Sequence, residues 1–422
     1  MPDGDTIFAL SSGAPPAAIA ILRVSGPAAG DVLVDLAGKL PPPRQATLRT
    51  LRTHDGALLD QAMVLWLPGP RTATGEDLAE LHLHGGRATI AAAEQALRLA
   101  GLRPALGGEF TRRALENGRI DLAQAEGLAD LLAAETEVER KLALATTEGQ
   151  ISRALQGWYE RLTGLSTAVE ARLDHADEDD VAANLGSIDG ELCALRNEIA
   201  EVLARPTVAR LRDGPTIVLA GPPNAGKSSL FNALIEREGA IVTPIAGTTR
   251  DVLDAAVTRG GRTYRIIDTA GLNAAQDPVE RIGVERAQAA IASADLTIWL
   301  GDEPPAQAAL WINARCDLPG RHEAAGTSLN VSARRSETLA QLWQAIETAV
   351  ADVAALPFLL SDRQRDGVMT VKTSVREASE SHDDLITAEC LRVALRALDN
   401  VLGRYAPEAM LDALFARFCI GK

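Results

Sequence analysis

Gly221-Pro-Pro-Asn-Ala-Gly-Lys-Ser228 spells G-x-x-x-x-G-K-S, a spacing whose residue types suit a phosphate chain. Such a chain needs many donors at close range, so Cβ atoms must stay out of the turn. Gly221 and Gly226 permit that approach, and a helix N-terminus behind them would aim free N–H groups at the anion. Lys227 adds a point charge for the β and γ phosphates, and the Ser228 hydroxyl suits Mg²⁺. Asp268-Thr-Ala-Gly271 follows some forty residues later as D-x-x-G, the usual acidic partner on the Mg²⁺ side of the loop. Between them, in Thr243-Pro-Ile-Ala-Gly-Thr-Thr-Arg-Asp251, Thr249 could bring a second hydroxyl to the metal in the manner of a switch segment. Together the three pieces point to hydrolysis of a nucleoside triphosphate rather than phosphate binding alone.

Two parts of that chemistry are less regular. The residue after Gly271 is Leu272, so the glutamine that often orients the attacking water is missing. Glu280 is the nearest acid that could fold back over the phosphates; an ordinary first-turn glutamate, favoured by the helix dipole, is the other reading. Base choice usually rests on an N-K-x-D segment. Here Asp317 is in place, but Ala314 and Arg315 occupy the Asn and Lys positions, and Ser332-Ala333 supplies the supporting S-A turn. From Trp299 to Trp311 the chain is also too short for a full crossover helix, which takes about a dozen residues. Guanine preference is expected, on weaker ground than phosphate binding.

The elements that must hold these residues follow from pattern. Thr216–Ala220 is a run of β-formers, and Leu230, Phe231, Leu234 and Ile235 repeat at helical spacing after the turn. The segment from Val252 to Ile267 reads as a hairpin turning at Gly260-Gly261. Upstream, strands are expected at 6–10, 18–24, 62–67 and 78–83, with helices at 27–40 and 87–99, Gly101 closing the second. Long Ala/Leu-rich helices occupy 120–210, broken by acidic Asp174-His-Ala-Asp-Glu-Asp-Asp180, read as a solvated loop rather than a metal site; helices resume at 363–377 and 385–404. The expected fold class is multidomain α/β + α: an N-terminal α+β domain at 1–117, a discontinuous helical bundle at 118–212 and 353–422, and an inserted P-loop domain, doubly wound α/β, at 213–352.

A net charge of −15 over 422 residues argues against a surface basic throughout, so contact with nucleic acid must be local. Cys193, Cys316, Cys390 and Cys419 are widely spaced and read as reduced thiols. With no membrane-length apolar run and no signal-peptide start, a cytoplasmic protein is expected. His82 and His84 share a strand face, and strand packing is preferred there over a metal pair.

Four blocks outside the P-loop region carry a family resemblance: Asp5–Leu10 with Ala18–Pro27, Gly75–Gly86, Gly108–Glu126, and the terminal Phe418-Cys-Ile-Gly-Lys422. Over essentially its full length the chain resembles the bacterial MnmE (TrmE) family of tRNA-modifying GTPases. That resemblance implies an N-terminal domain that binds folate and dimerises, a helical domain and an inserted G domain. It implies work with the FAD-dependent partner MnmG, in a heterotetramer, to add a carboxymethylaminomethyl (or aminomethyl) group at C5 of the wobble uridine of certain tRNAs. A tetrahydrofolate derivative (5-formyl or 5,10-methylene) supplies the one-carbon unit, and GTP, Mg²⁺ and K⁺ are the other small partners. Carried over by position, folate falls to Arg23, Glu80, Arg119 (a Lys in the family) and Lys422. Nucleotide contacts fall to Asn224, Ala225, Gly226, Lys227, Ser228 and Ser229; to Thr243, Pro244, Ile245, Ala246, Gly247, Thr248 and Thr249; to Asp268, Thr269, Ala270 and Gly271; and to Asp317, Ser332 and Ala333. Ser228 and Thr249 match the Mg²⁺ ligands, Asn224, Thr243, Ile245 and Thr248 the K⁺ site, and Glu280 the water-orienting acid. Cys419 matches a cysteine tied to tRNA modification. Two other readings stand beside this one. A ribosome-assembly GTPase would carry a basic RNA-binding module after the G domain, where this chain has acidic and neutral helices. A folate-binding scaffold with a decayed G domain is kept open by Ala314 and Arg315.

Overall fold

Alternation along Ile19–Ser25 and Leu78–His84 sends Ala20, Leu22, Val24, Leu81 and Leu83 to one face, and Arg23, Glu80 and His82 to the other. A computed structural model turns that period into a sheet; it describes residues 4–174, 185–236, 253–269, 288–303, 310–319, 326, 329–350, 356–405, 407–416, 418 and 421. The strands are β1 (Ile7–Leu10), β2 (Ile19–Ser25), β3 (Thr47–Arg52), β4 (Leu58–Leu67), β5 (Leu78–His84) and β6 (Arg103–Pro104), in the order β3-β4-β5-β2-β1-β6. All neighbours are antiparallel except β1 and β6. Two helices, α1 (Ala29–Ala37) and α2 (Arg87–Leu99), cover the apolar face. Val32, Leu33 and Leu36 of α1 and Ala93 and Leu97 of α2 pack on Phe8, Leu22, Val64, Trp66, Leu81 and Leu83. Each large side chain buried there contributes about 1.5–3 kcal/mol. Gly101, at φ 88, follows α2 as expected, and Leu102 N–H returns to the Leu97 carbonyl.

The chain divides into two compact units: Met1–Leu132, Thr146–Val181 and Ser381–Lys422 in one, Ala133–Ala145 and Ala182–Glu380 in the other. The helices that follow the first sheet are α3 (Glu109–Glu116), α4 (Leu122–Ala133), α5 (Glu137–Thr147), α6 (Gln150–Asp174), α7 (Leu185–Ala204) and α8 (Val208–Asp213). The acidic stretch at 175–180 lies outside the described residues. Beyond the second sheet come α10 (Ser336–Ala349), α11 (Asp362–Glu380), α12 (Asp384–Leu402) and α13 (Glu408–Phe415), α9 being the P-loop helix Lys227–Glu236. In the first unit α6 lies along α12, and Leu122, Ala125 and Ala129 of α4 pack on Leu414, Phe415 and Phe418. In the second unit α7 lies along α11. Among the described residues no helix is long and apolar enough to cross a membrane.

The second sheet holds β7 (Thr216–Ala220), β8 (Leu253–Arg259), β9 (Arg262–Asp268), β10 (Leu296–Trp299), β11 (Leu310–Ala314) and β12 (Leu329–Val331), ordered β12-β11-β10-β7-β9-β8. Every pair is parallel except β8 with β9, the expected hairpin, whose turn residues Gly260 and Gly261 sit at φ 59 and 74. Two positive φ values in a two-residue loop are what a type I′ turn demands. Ile217, Leu219, Ile266, Ile298 and Ile312 are buried with Leu230, Phe231 and Leu234 of α9 and Leu342, Trp343 and Ile346 of α10. The fold is therefore multidomain α/β + α, with α+β, helical and P-loop α/β parts.

Candidate functional site

The P-loop sits where β7 ends and α9 begins. Gly221, Asn224 and Gly226 take φ values of 146, 62 and 101, which glycine adopts readily and asparagine tolerates. A Cβ on Gly221 would stand 3.3 Å from the Leu300 backbone just past β10, a tight approach that glycine makes without strain at φ 146. Lys227 is nearly buried, and its Nζ donates to the Gly221 and Pro222 carbonyls at 2.8 and 2.9 Å. Burial pulls this ammonium below the usual lysine range, and the Asp268 charge partly offsets that. Ser229 is exposed on the first turn of α9, and Ala225 packs against the sheet core.

Ser228 and Asp268, forty residues apart, are brought together by parallel pairing of β7 with β9: Ser228 Oγ donates to Asp268 Oδ2 at 2.6 Å. Asp268 is wholly buried at the end of β9, and Thr269 Oγ1 fastens the next residue to the Leu219 carbonyl at 2.8 Å. A hydroxyl beside a carboxylate at a strand end is an all-oxygen donor set that fits Mg²⁺. Thr243, Pro244, Ile245, Ala246, Gly247, Thr248, Thr249, Ala270, Gly271 and Glu280 lie outside the described residues.

At the corner expected to read the base, Asp317 accepts a hydrogen bond from Ser332 and faces Arg334 at 3.9 Å. The Ser332 bond, with lesser help from Arg334 and Arg335, holds its carboxyl below the usual range. Ser332 is buried and caps its own turn through Thr338, with Ala333 beside it. Arg315 is the residue whose role the sequence did not reveal. It adopts φ 60, its Nη2 donates to the Asn224 carbonyl at 2.7 Å, and its Cγ and Cδ lie 3.2 and 3.3 Å from where a Gly226 Cβ would stand. Its stem thus lies on the phosphate loop and its head pins the loop's left-handed residue. Its place at the Lys position of the degenerate N-K-x-D was the available signal. Ala314 is buried and offers no amide, and Asn313 bonds to Asn330 instead.

In the first unit the register of β2 with β5 sets Arg23 opposite Glu80, and Arg23 Nε and Nη2 both donate to Glu80 Oε1, at 3.1 and 2.9 Å. The Arg23 guanidinium also lies over the Phe110 ring at 5.9 Å. Arg119 packs on the loop before β5: a Cβ on Gly75 would stand 3.1 Å from Arg119 Cγ, and Asn117 Nδ2 donates to the Thr74 carbonyl at 2.8 Å. The C-terminal tail reaches the same module, since Ser11 Oγ donates to the Gly421 carbonyl at 2.9 Å. Ser11 follows β1, whose Ala9 is the partner of Arg23. Lys422 and Cys419 lie outside the described residues. His82 and His84 are held by separate carboxylates, Glu80 at 3.2 Å and Asp60 at 2.8 Å. Among the described residues no cluster of three or more His, Cys, Asp or Glu could hold a metal ion. Cys193, Cys316 and Cys390 take part in no disulfide.

Two family models cover most of the chain: "GTP-binding protein TrmE N-terminus" matches residues 6–119, and "MnmE helical domain" matches 122–419. Proteins named tRNA modification GTPase MnmE align nearly end to end. That of Erythrobacter litoralis is 51% identical over 423 residues, covering 99% of this chain and 100% of the relative. That of Rhizorhabdus wittichii is 52% identical over 428 residues, covering 99% and 97%. Among solved structures, the G domain of the T. maritima FeoB iron transporter is 25% identical, with a TM-score of 0.25, covering 32% of this chain and 98% of that one. With a P-loop, its Ser228–Asp268 pair and end-to-end relatives of this identity, the chain belongs to the MnmE family of tRNA modification GTPases.

Proposed function

We propose that this protein hydrolyses GTP with Mg²⁺ and K⁺ and couples hydrolysis to addition of a carboxymethylaminomethyl or aminomethyl group at C5 of a tRNA wobble uridine. It does so as a homodimer with the flavoprotein MnmG, and a tetrahydrofolate derivative provides the carbon. The domain division we propose is 1–117 for folate and dimerisation, 118–212 with 353–422 for the helical domain, and 213–352 for the G domain. The observation that carries the catalytic part is the Ser228–Asp268 pair beside the buried Lys227 at the strand end. Ser228 and Thr249 hold Mg²⁺; Asn224, Thr243, Ile245 and Thr248 hold K⁺, which supplies positive charge where charge develops in the transition state. Lys227 leaves the loop carbonyls for the phosphates, and Glu280 orients the water that attacks the γ-phosphorus. In the N-terminal domain the Glu80 carboxylate meets the donor edge of a pterin, while Arg23, Arg119 and Lys422 meet anionic parts of the folate. The Arg23–Glu80 bonds support that reading, because they set the carboxylate's direction before any ligand arrives.

The test is GTP turnover by the purified protein in K⁺ against Na⁺. Hydrolysis is expected to be much faster in K⁺, and Glu280→Ala should keep GTP binding while losing turnover. Equal rates in the two salts would remove the cation from the mechanism. Unaltered wobble uridines in tRNA from cells lacking the protein would remove the modification.

A further inference from the structure

At the end of β7 away from the phosphate loop, an open cleft of about 670 Å³ lies where the chain runs into and out of the second sheet. Arg205, Arg210, Arg262 and Arg365 line it, and Asp295 is the one carboxylate among the described lining residues. That carboxylate is already engaged: Oδ2 accepts from Thr216 N–H at 2.9 Å and Oδ1 accepts from Arg210. Arg205 lies on the Phe358 ring at 5.0 Å, and Arg365 Nη1 donates to the Arg205 carbonyl at 3.1 Å. A ring face and a carbonyl oxygen fix a guanidinium in place without cancelling its charge. Four guanidinium groups against one carboxylate give the described lining an excess of positive charge in a chain whose net charge is −15. Local concentration of one sign in a concave surface is how a protein captures the opposite sign.

We propose that this cleft binds the phosphodiester backbone of an RNA strand, two or more phosphates at once, a partner that rests on the tRNA-directed reading above. The lining favours a backbone over a base. Arginine suits phosphate through paired N–H donors, whereas no aromatic ring and no amide side chain, the groups that read bases, is among the described residues lining the cleft. Its volume exceeds what one phosphate fills and lies within the range of sites for larger ligands, about 300–1,000 Å³. The cleft stands at both crossings between the helices α7 and α11 and the sheet that carries the P-loop, so RNA held there would feel how the sheet is seated on those helices.

The test uses the full-length protein and a fluorescently labelled tRNA transcript, with affinity measured across a salt series. Arg262→Gln/Arg365→Gln should lower the slope of log affinity against log salt by roughly 1.5 and weaken binding by about tenfold near 0.1 M salt, two phosphate contacts being lost. GTP turnover should stay as in wild type. Arg365→Lys should retain most of the slope. Ala349→Glu, a carboxylate added at an exposed position on the lining, should weaken RNA without touching any existing bond. Wild-type slope and affinity in both the double variant and Ala349→Glu would overturn the cleft alone. A wild-type protein that binds no RNA would overturn the tRNA-directed reading and the cleft with it. If tripolyphosphate binds wild type but not the double variant, while the RNA slope is unchanged, the site takes free oligophosphate and the RNA proposal fails.

Discussion

Replacing Arg315 by glycine should weaken GTP binding while leaving the fold as stable as before, and the opposed responses are what make the experiment informative. At φ 60 an arginine sits in the left-handed region, which costs an L-residue about 1–2 kcal/mol. Glycine removes that strain but orders a more flexible chain on folding, at about 0.5–1 kcal/mol. Losing the Asn224 bond costs roughly another 1 kcal/mol, so net stability should stay within about 1 kcal/mol of wild type. Binding is another matter. The bond from Nη2 to the Asn224 carbonyl is 2.7 Å and the stem lies against Gly226. A buried charge-assisted bond of this kind is worth about 1.5–3 kcal/mol; this one is reached by solvent, so about 1 kcal/mol remains, close to a fivefold rise in the GTP dissociation constant. Arg315→Ala keeps the strained backbone and loses the bond, so both quantities should fall. Fluorescence titration with a labelled GTP analogue measures the first and urea unfolding the second. An Arg315→Gly protein that binds GTP as tightly as wild type would refute the role assigned to this side chain.

Two further outcomes follow from the first unit. Burial pushes the Glu109 carboxyl upward, but hydrogen bonds from Arg103 and Leu106 N–H and the charges of Arg103 and Arg113 outweigh it and hold it below its ordinary 4.5. Its contribution to stability is thus complete above about pH 4.5 and is lost as pH falls through the lower folded value. Glu109→Gln, which leaves Arg103 and Arg113 facing a neutral group, should cost about 3 kcal/mol at neutral pH and flatten the acid limb of urea midpoint against pH; an unchanged midpoint would contradict this. Gly75→Ala places a methyl 2.8 Å from Asn117 Cβ and 3.1 Å from Arg119 Cγ at φ 85, so Arg119 must move. Calorimetry should show affinity for 5-formyltetrahydrofolate falling by about tenfold, or ~1.4 kcal/mol, with GTP turnover untouched; equal affinity would separate Arg119 from the folate.

Where chemistry is local, the residues announced it. The strand, the glycines, the lysine and the opening of α9 all fall between Thr216 and Glu236, so spacing alone specified a phosphate cradle. The Gly260-Gly261 hairpin and the bounds of α2 were legible for the same reason: one turn type and one helical period fix them over neighbouring residues. The edge strand β3 was not, because in Thr-Leu-Arg-Thr-Leu-Arg only Leu51 is buried, leaving too little alternation to read.

What lay beyond pattern is every pairing made across the chain. The family resemblance named Arg23 and Glu80, but only the antiparallel register of β2 with β5 puts a guanidinium and a carboxylate side by side across a separation of 57 residues. Arg315 looked like erosion of a motif until the fold carried it 91 residues back onto Asn224. Ser11 and Gly421 meet over 410 residues, a closure paid in chain entropy that the packing of α13 against α4 helps to offset. A sequence specifies donors and acceptors through local geometry; which of them face each other depends on where distant strands and helices come to rest, and that is settled by the core they bury together.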